Sequence, residues 1–434
     1  MTDSQYISVV SYRDAGLFKD KKPLLGRIDI ELTERCNNRC IHCLINQPEN
    51  DKDIISREMD TGFVRDLLKQ AADLGCMSVR FTGGEPLLRP DFEELYITAK
   101  KFGMKVILFT NARLITRDLA VLFSRMPPGK VVEVTVYGMH PGSYDVATGV
   151  KGAYYEFKRG IDLLLEYKIP FIVKQAFLPQ NKAELEEFEN FAATIPALDH
   201  GPGFSMNFEL RARRDDPAKN ERIKKLRLTA SETVAMLARD PRYVPGMKEF
   251  CSKFTRPPGE KLFSCGAGHG TCIDAYGFAQ MCLPLRHPDT VFDLHKGTLK
   301  EALTVFFPKM REIKAENQDY LKRCALCFLK GLCNQCPGKA WTESGTLDTP
   351  VEYLCEVAHA QARYLGLIGK GENAWEVKSI SMTGEGITDT PSPPATLRSY
   401  PLPTTTSLTD RIYGIFQIHD VSLIEEIAES DNLE

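Results

Sequence analysis

The run Glu31-Leu32-Thr33-Glu34-Arg35-Cys36-Asn37-Asn38-Arg39-Cys40-Ile41-His42-Cys43 sets a CxxxCxxC triplet directly after a short apolar segment. Three thiolates at this spacing can hold three irons of a 4Fe-4S cube and leave the fourth iron without a protein ligand, open to substrate or cofactor. The triplet therefore points to a reactive cluster and to catalysis, rather than to a centre that only carries electrons. The alternatives are a structural zinc site or scattered core cysteines. Zinc sites close with four ligands and favour CxxC pairs, and His42 alone lies near enough to be a fourth.

Outward from the triplet, residues 27–210 alternate short β-type runs with amphipathic stretches, the pattern of βα units building a parallel sheet. Strands are expected at 28–32, 78–81, 106–109, 131–136, 171–176 and 204–210, enough for an open, partial barrel. Phe63, Leu67, Leu68, Ala71 and Leu74 recur at near-helical spacing and predict a helix over one face of that sheet. The stretches 91–102, 117–125, 154–167 and 182–191 repeat the pattern. Ligands of such folds collect at the carboxyl ends of the strands. The triplet follows the first expected strand, and Thr82-Gly83-Gly84-Glu85-Pro86 follows the second at the same end. Two glycines let backbone approach a ligand closely, and the adjacent carboxylate can accept from an ammonium group.

On the triplet and the Gly83 to Pro86 loop, the chain resembles the radical S-adenosylmethionine (radical SAM) superfamily. The resemblance implies a partial (β/α)6 barrel over 27–240 and S-adenosylmethionine (SAM) chelated to the open iron. It further implies that Glu85 and the Gly83 and Gly84 backbone contact the methionyl amine, with Pro86 closing the loop. The family usually has Tyr or Phe where this chain has His42, which is expected near the adenine. The segment Thr135-Val136-Tyr137-Gly138 resembles one with Asp in the place of Tyr137, and gives Thr135 a ribose-binding role. By the same resemblance, reductive cleavage of SAM yields a 5'-deoxyadenosyl radical that abstracts hydrogen from an unactivated C–H bond. A partly apolar barrel interior would keep that radical dry.

After a polar connector from 211 to about 227 and a helical stretch to about 240, cysteines return in density. Eleven residues separate Cys265 from Gly277 and four separate Gly277 from Cys282; Cys324-x2-Cys327-x5-Cys333-x2-Cys336 follows, and Cys355 comes later. With Cys272 this makes two four-cysteine sets, enough for two 4Fe-4S clusters or, on the CxxC pairs alone, two zinc sites. The arrangement resembles the SPASM extension of radical SAM enzymes, a small cysteine-rich α+β auxiliary-cluster domain, here expected over 251–365. The resemblance assigns Cys265, Cys272, Cys282 and Cys336 to one auxiliary cluster and Cys324, Cys327, Cys333 and Cys355 to the other. Both would then be fully ligated and would move electrons. Leu283 and Pro284 follow Cys282 where the sulfatase-oxidising members carry an acidic residue, which disfavours that activity. Asp274 is expected to support the turn into Gly277. Of the two cysteines left over, Cys76 reads as a buried inert thiol, and Cys251 as either core packing or a hydrogen donor to a substrate radical.

Composition fits a large enzyme and not a nucleic-acid binder: 434 residues, 43% hydrophobic, with Lys plus Arg 55 against Asp plus Glu 58. No signal peptide or bilayer-length apolar stretch is read, so a cytoplasmic location is expected, where thirteen cysteines suit metal ligation better than disulfides. The segment 1–26 is too short for the winged-helix-like peptide-recognition module of some peptide maturases, which a separate protein would then supply. Residues 370–434 read as a Pro/Thr-rich linker and a tail able to dock. SPASM resemblance implies modification of a ribosomally made peptide, most readily by oxidative crosslinking, with ferredoxin or flavodoxin as electron donor. The alternatives are peptide epimerisation using Cys251, a small-molecule radical oxidase or dehydrogenase of cofactor or natural-product biosynthesis, and a non-catalytic zinc-binding module.

Overall fold

The computed structural model describes residues 25–129, 131–198, 201–253, 257–263, 265 and 271–377. The expected segment 1–26 falls almost wholly, and the tail from 378 onward wholly, outside the described residues.

Strand β1 (Arg27–Thr33) leads into two short strands at the triplet, β2 (Arg35–Cys36) and β3 (Gln47–Pro48), which pair in parallel with each other. Then come β4 (Ser78–Gly83), β5 (Lys105–Thr110), β6 (Val132–Val136), β7 (Phe171–Ala176) and β8 (Gly203–Ser205). β1, β4, β5, β6, β7 and β8 lie side by side in that order and all parallel, so each crossover returns through a helix to the next position. The crossover helices include Thr61–Asp73, Phe92–Lys101, Arg117–Arg125, Ala153–Glu166 and Leu185–Ala193, close to their expected bounds. Their starts are set by side chains that satisfy the first free amides: Asp60 accepts from Phe63 N at 2.7 Å and Thr116 from Leu119 N at 3.2 Å. A helix the sequence reading missed, Pro141–Thr148, follows β6.

The sixth strand is shorter than expected. Met206, Phe208 and Leu210 are buried in strand alternation, but at this sheet edge the backbone turns to side chains instead of a further strand. Phe208 O accepts from Arg227 Nε at 2.8 Å, and Arg211 N donates to Asn220 Oδ1 at 2.8 Å.

The auxiliary half is not a detached module. Its strands β9 (Thr271–Ile273), β10 (Phe278–Gln280) and β11 (Phe292–Asp293) extend the same sheet to nine strands, β9 running parallel beside β1 with Asp29 opposite Cys272. One hydrophobic core accordingly spans both halves, from Ile28, Ile30 and Leu32 to Ile273, Ala279 and Phe307.

Alternation along the parallel strands separates the faces. Ile28, Ile30, Leu32, Val79, Phe81, Val106, Leu108, Val132, Val134 and Phe171 pack against the helices. The other face, expected to be partly apolar, carries ion pairs. Arg80 meets Asp29 at 2.7 Å, Lys174 meets Glu133 at 2.5 Å, and both cations lie over the Phe109 ring, at 4.7 and 4.2 Å from its centroid. Further along β1, buried Arg286 reaches Glu31 at 2.5 Å and also bonds Glu34. Glu34 in turn accepts from Arg213 at 2.8 Å and from the Tyr276 hydroxyl at 2.9 Å, and Arg213 continues to Asp274 at 2.8 Å.

This network is buried at Glu31, Glu34, Asp274 and Arg286, with Arg213 partly exposed, and joins β1 to the auxiliary strands. Removing its central cation leaves buried carboxylates uncompensated, so Arg286→Met is expected to lower stability by about 3–5 kcal/mol in anaerobic urea denaturation, with part of the loss regained by adding Glu31→Gln.

Candidate active site

The cysteine loop leaves β1 and is tied to the segments that follow β5, β6 and β8 at the carboxyl end of the sheet. Arg39 N donates to Thr148 O at 2.7 Å and Ile41 N to Ala147 O at 3.3 Å, which docks the loop on the helix Pro141–Thr148. Arg113 Nη1 bonds Asn37 O and, at 2.6 Å, Asn38 Oδ1; Asn111 Nδ2 bonds Asn37 Oδ1 at 2.8 Å. From the connector, Arg211 Nη1 reaches Asn46 O at 3.2 Å, and Lys219 Nζ reaches Asn46 Oδ1 at 2.6 Å.

The Gly83 to Pro86 loop lies across the start of this loop. Gly84 N donates to Thr33 O at 2.7 Å and Glu85 N to Arg35 O at 2.8 Å. Both glycines are required by this contact. Gly83 has φ +127, and a Cβ would fall 2.1 Å from Thr33 O at Gly83 and 2.1 Å from Arg35 O at Gly84. The close approach is therefore to the chain's own backbone. The Glu85 carboxylate is likewise engaged within the protein: it accepts from the Thr110 hydroxyl at 2.9 Å, Asn111 N at 2.9 Å and Leu87 N at 3.1 Å. Burial outweighs these donors and pushes its pKa up to about 7. Glu85 thus braces the loop against the end of β5.

Buried polar groups surround the triplet. Burial pushes the Cys40 thiol up to about 12 and Cys36 well above the ordinary range, so bound iron would have to displace their protons. Lys219 supplies positive charge toward Cys43 and Cys40, and Tyr137 is a further polar neighbour of Cys40. Buried Asn37 Nδ2, Asn38 Nδ2, His42 Nδ1 and the Tyr144 hydroxyl have no hydrogen-bond partner, and Tyr144 feels the charges of Cys40 and Cys36. Four unsatisfied polar atoms around one thiol group are the signature of a site built for a polar ligand. His42 stacks against Phe208 and Tyr137, with centroids 4.8 and 5.7 Å apart, and burial lowers its pKa to about 3, so the ring is neutral. Thr135 stands on β6 in register with Lys174.

The sequence model of the Radical SAM superfamily matches residues 30–192, which span the triplet and the Gly83 to Pro86 loop. Residues 30–192 are a radical SAM domain. The AdoMet-dependent heme synthase of Methanosarcina barkeri is 23% identical over 329 residues, covering 73% of this chain and 92% of that protein. The PqqA peptide cyclase of Bradyrhizobium diazoefficiens is 27% identical over 170 residues, 39% of this chain and 43% of that one. Two solved structures share the fold across both halves. SuiB of Streptococcus suis bound to the precursor peptide SuiA has TM-score 0.56 at 18% identity, covering 77% of this chain and 76% of its own. The anSMEcpe structure with bound AdoMet and the Kp18Cys peptide has TM-score 0.52 at 15% identity, covering 78% and 96%.

Beyond the radical SAM domain, the structure groups the remaining cysteines unevenly. Cys324, Cys327, Cys333 and Cys355 are mutual electrostatic neighbours, and Cys355 Sγ also meets Arg323 Nη2 at 3.6 Å and His359 Nδ1 at 3.5 Å. Cys265, Cys282 and Cys336 form a second such group. Cys272 stands on β9, with Glu31, Asp29 and Arg286 as its foremost charged neighbours. Among the described residues no group of three or more His, Cys, Asp or Glu side chains stands close enough to hold a metal ion. Asp274 does hold its turn, accepting from Tyr276 N and Phe278 N at 3.0 Å each. Cys76 packs in the main core and bonds Ser78 O at 3.1 Å. Cys251, on the helix Tyr243–Ser252, is buried in a separate apolar cluster with Met247, Phe250 and Leu329, which pushes its pKa up to about 12.

Asn111, Arg113, Arg211 and Lys219 were not singled out from sequence; Asn111 and Arg113 follow β5 directly, where the carboxyl-end rule could have found them. The raised pKa of Glu85 sets the sign of a pH effect. A carboxyl that holds its proton in the fold contributes stability below its unfolded value of 4.5 and loses it as pH rises through about 7. Relative to Glu85→Gln, the wild-type protein is therefore expected to lose up to about 3 kcal/mol of stability between these limits, read from paired denaturation curves.

Proposed function

We propose that this chain is a radical SAM enzyme of the SPASM type that abstracts hydrogen from a peptide substrate, with oxidative crosslinking as the outcome. The observation that carries this reading is the likeness to two structures solved with peptides bound, which runs through both the radical SAM domain and the cysteine-rich half. Cys36, Cys40 and Cys43 would hold the SAM-binding 4Fe-4S cluster, and the two later cysteine groups the auxiliary clusters. When bound, cluster and SAM supply a 5'-deoxyadenosyl radical able to take hydrogen from a C–H bond.

The residues of this chain bind, orient and exclude. Asn37, Asn38 and Tyr144 offer polar atoms to the ligand beside the triplet, and His42, Tyr137 and Phe208 supply an aromatic wall suited to a purine. Arg113 and Asn111 fix the loop that carries the thiols. Neutral His42 neither donates nor takes a proton near neutrality. The ion-paired inner face, with Arg80 and Lys174 over Phe109, is a rigid polar wall along which a substrate can be oriented. The buried Cys251 is a packing residue in this reading, which favours oxidation over an epimerisation that needs a thiol donor. A low-potential one-electron donor such as ferredoxin or flavodoxin would reduce the clusters in the cytoplasm, and a separate recognition protein would present the peptide. Among the described residues no helix is long and apolar enough to cross a membrane.

A second reading rests on the heme synthase relative, whose likeness spans 92% of that protein at 23% identity. It would make the substrate a small molecule bearing carboxylates, which the inner-face cations could meet.

The two readings separate by mass spectrometry. A short peptide encoded beside the gene is incubated anaerobically with the protein, reductant and SAM in deuterated water. Loss of two hydrogens from the peptide is expected; one deuterium taken up at carbon would indicate epimerisation, and an unchanged peptide with 5'-deoxyadenosine still formed would favour the small-molecule reading. Cys40→Ala is expected to abolish 5'-deoxyadenosine formation in every case.

A further inference from the structure

Building on the proposed SAM-binding cluster at the triplet, we infer that Arg113 orients the side-chain amides of Asn37 and Asn38 as a pair of N–H donors for an anionic acceptor there. That acceptor is either a sulfide of the cluster or the carboxylate of SAM. Asn37 and Asn38 stand between Cys36 and Cys40, and both are more than nine-tenths buried, with 8% and 1% of their surface exposed. Asn38 N donates to Cys36 Sγ at 3.4 Å, so the pair lies against the first thiol. The Nδ2 atom of each amide is buried without a hydrogen-bond partner.

Which end of each amide is left free follows from partners that can only donate. The Arg113 backbone N–H donates to Asn111 Oδ1 at 3.0 Å, so Asn111 presents its Nδ2 to Asn37 at 2.8 Å and Asn37 meets it with Oδ1. The Arg113 guanidinium donates to Asn38 Oδ1 at 2.6 Å. Both Nδ2 groups are thereby turned away from the acceptors of the protein. The turn that lets Asn111 and Arg113 reach the triplet loop together is held in a conformation unfavourable for a residue with a Cβ: Ala112 has φ +63. The helix Ala153–Glu166 backs it. A Cβ on Gly160 would fall 2.0 Å from Ala112 O, and Glu156 holds the Arg113 guanidinium at 2.6 Å. Two buried N–H2 groups without an acceptor are costly, and they can meet only an acceptor, which excludes an ammonium and favours an anion through charge-assisted bonds.

The full chain and its variants Asn37→Ala, Asn37→Asp, Asn38→Ala and Asn38→Asp are reconstituted anaerobically with iron and sulfide. Two quantities are read: the midpoint potential, without SAM, of the electron paramagnetic resonance signal that SAM perturbs, and the affinity for SAM beside that for its decarboxylated analogue. If the acceptor is a sulfide, the potential falls in the Ala variants, because hydrogen bonds to cluster sulfur ease the addition of an electron. If it is the carboxylate, SAM binds about tenfold more weakly to the Ala variants and the decarboxylated analogue binds as it does to the wild-type protein. In both cases Asp is expected to lose more than Ala: it keeps the amide's shape and its Oδ1 contact but sets an oxygen where the donor stood, whereas a packing role predicts the reverse order. Arg113→Met, whose partner Glu156 is half-exposed, frees the Asn38 amide to turn over, so Asn38→Ala is expected to cost less in that background than alone. Where one replacement yields no iron-loaded protein, the other at that position decides. Unchanged potential and unchanged SAM affinity in the Ala variants, or Asp variants that match the wild-type protein, would overturn the assignment. A wild-type protein with no SAM-perturbed signal would overturn the reading of the triplet itself.

Discussion

Strand β1 is paired on both edges, with β4 of the radical SAM domain on one side and β9 of the auxiliary half on the other. Its outward residues Ile28, Ile30 and Leu32 anchor the common core, its inward residues Asp29 and Glu31 engage Arg80 and Arg286, and its carboxyl end becomes the cysteine loop. Any shift of this strand by one residue would exchange its two faces and place two carboxylates in the hydrocarbon core. The position of the thiols is thus set by a register that the buried charges enforce. Glu31 and Glu34 are tolerable inside the protein because Arg286 and Arg213 arrive from later in the chain to meet them.

The same logic governs the loop after β4. The glycines at 83 and 84 allow two loops to cross in contact, and Glu85 locks the crossing by bonding to the end of β5. The motif is thereby a joint between three strand ends. The groups left unsatisfied around the triplet, on Asn37, Asn38, His42 and Tyr144, are those with capacity to spare for a bound molecule. Placing aromatic and amide groups on a frame locked by hydrogen bonds is what an enzyme generating a reactive species needs, because a loosely held site would let water in.

Continuity of the sheet through β9 to β11 has an energetic consequence. The cysteine-rich strands are too short to form a stable sheet alone, and borrowing an edge from β1 gives them paired backbone and a share of the main core. The auxiliary cysteine groups are positioned from the radical SAM domain outward, rather than as an independent body joined by a linker. The Arg286 network lies in that junction, between the β1 carboxylates and the residues following Cys282.

By itself the sequence determined the alternation of strands and helices, the triplet with its open-iron spacing, and the second loop at the same end of the sheet, because these depend on local periodicity and spacing. The resemblance they carried led to the right domain over residues 30–192. The tertiary structure alone decided matters that rest on residues far apart in the chain. It showed the charged inner face, since Arg80, Phe109 and Lys174 belong to three different strands. It showed Glu85 bonded to the end of β5, ended β8 early by offering Arg227 to a carbonyl that would have paired with a strand, and packed Cys251 into an apolar cluster. It also set Cys272 on β9 opposite Asp29, a neighbour that spacing along the chain could not name because sheet pairing joins residues far apart in sequence.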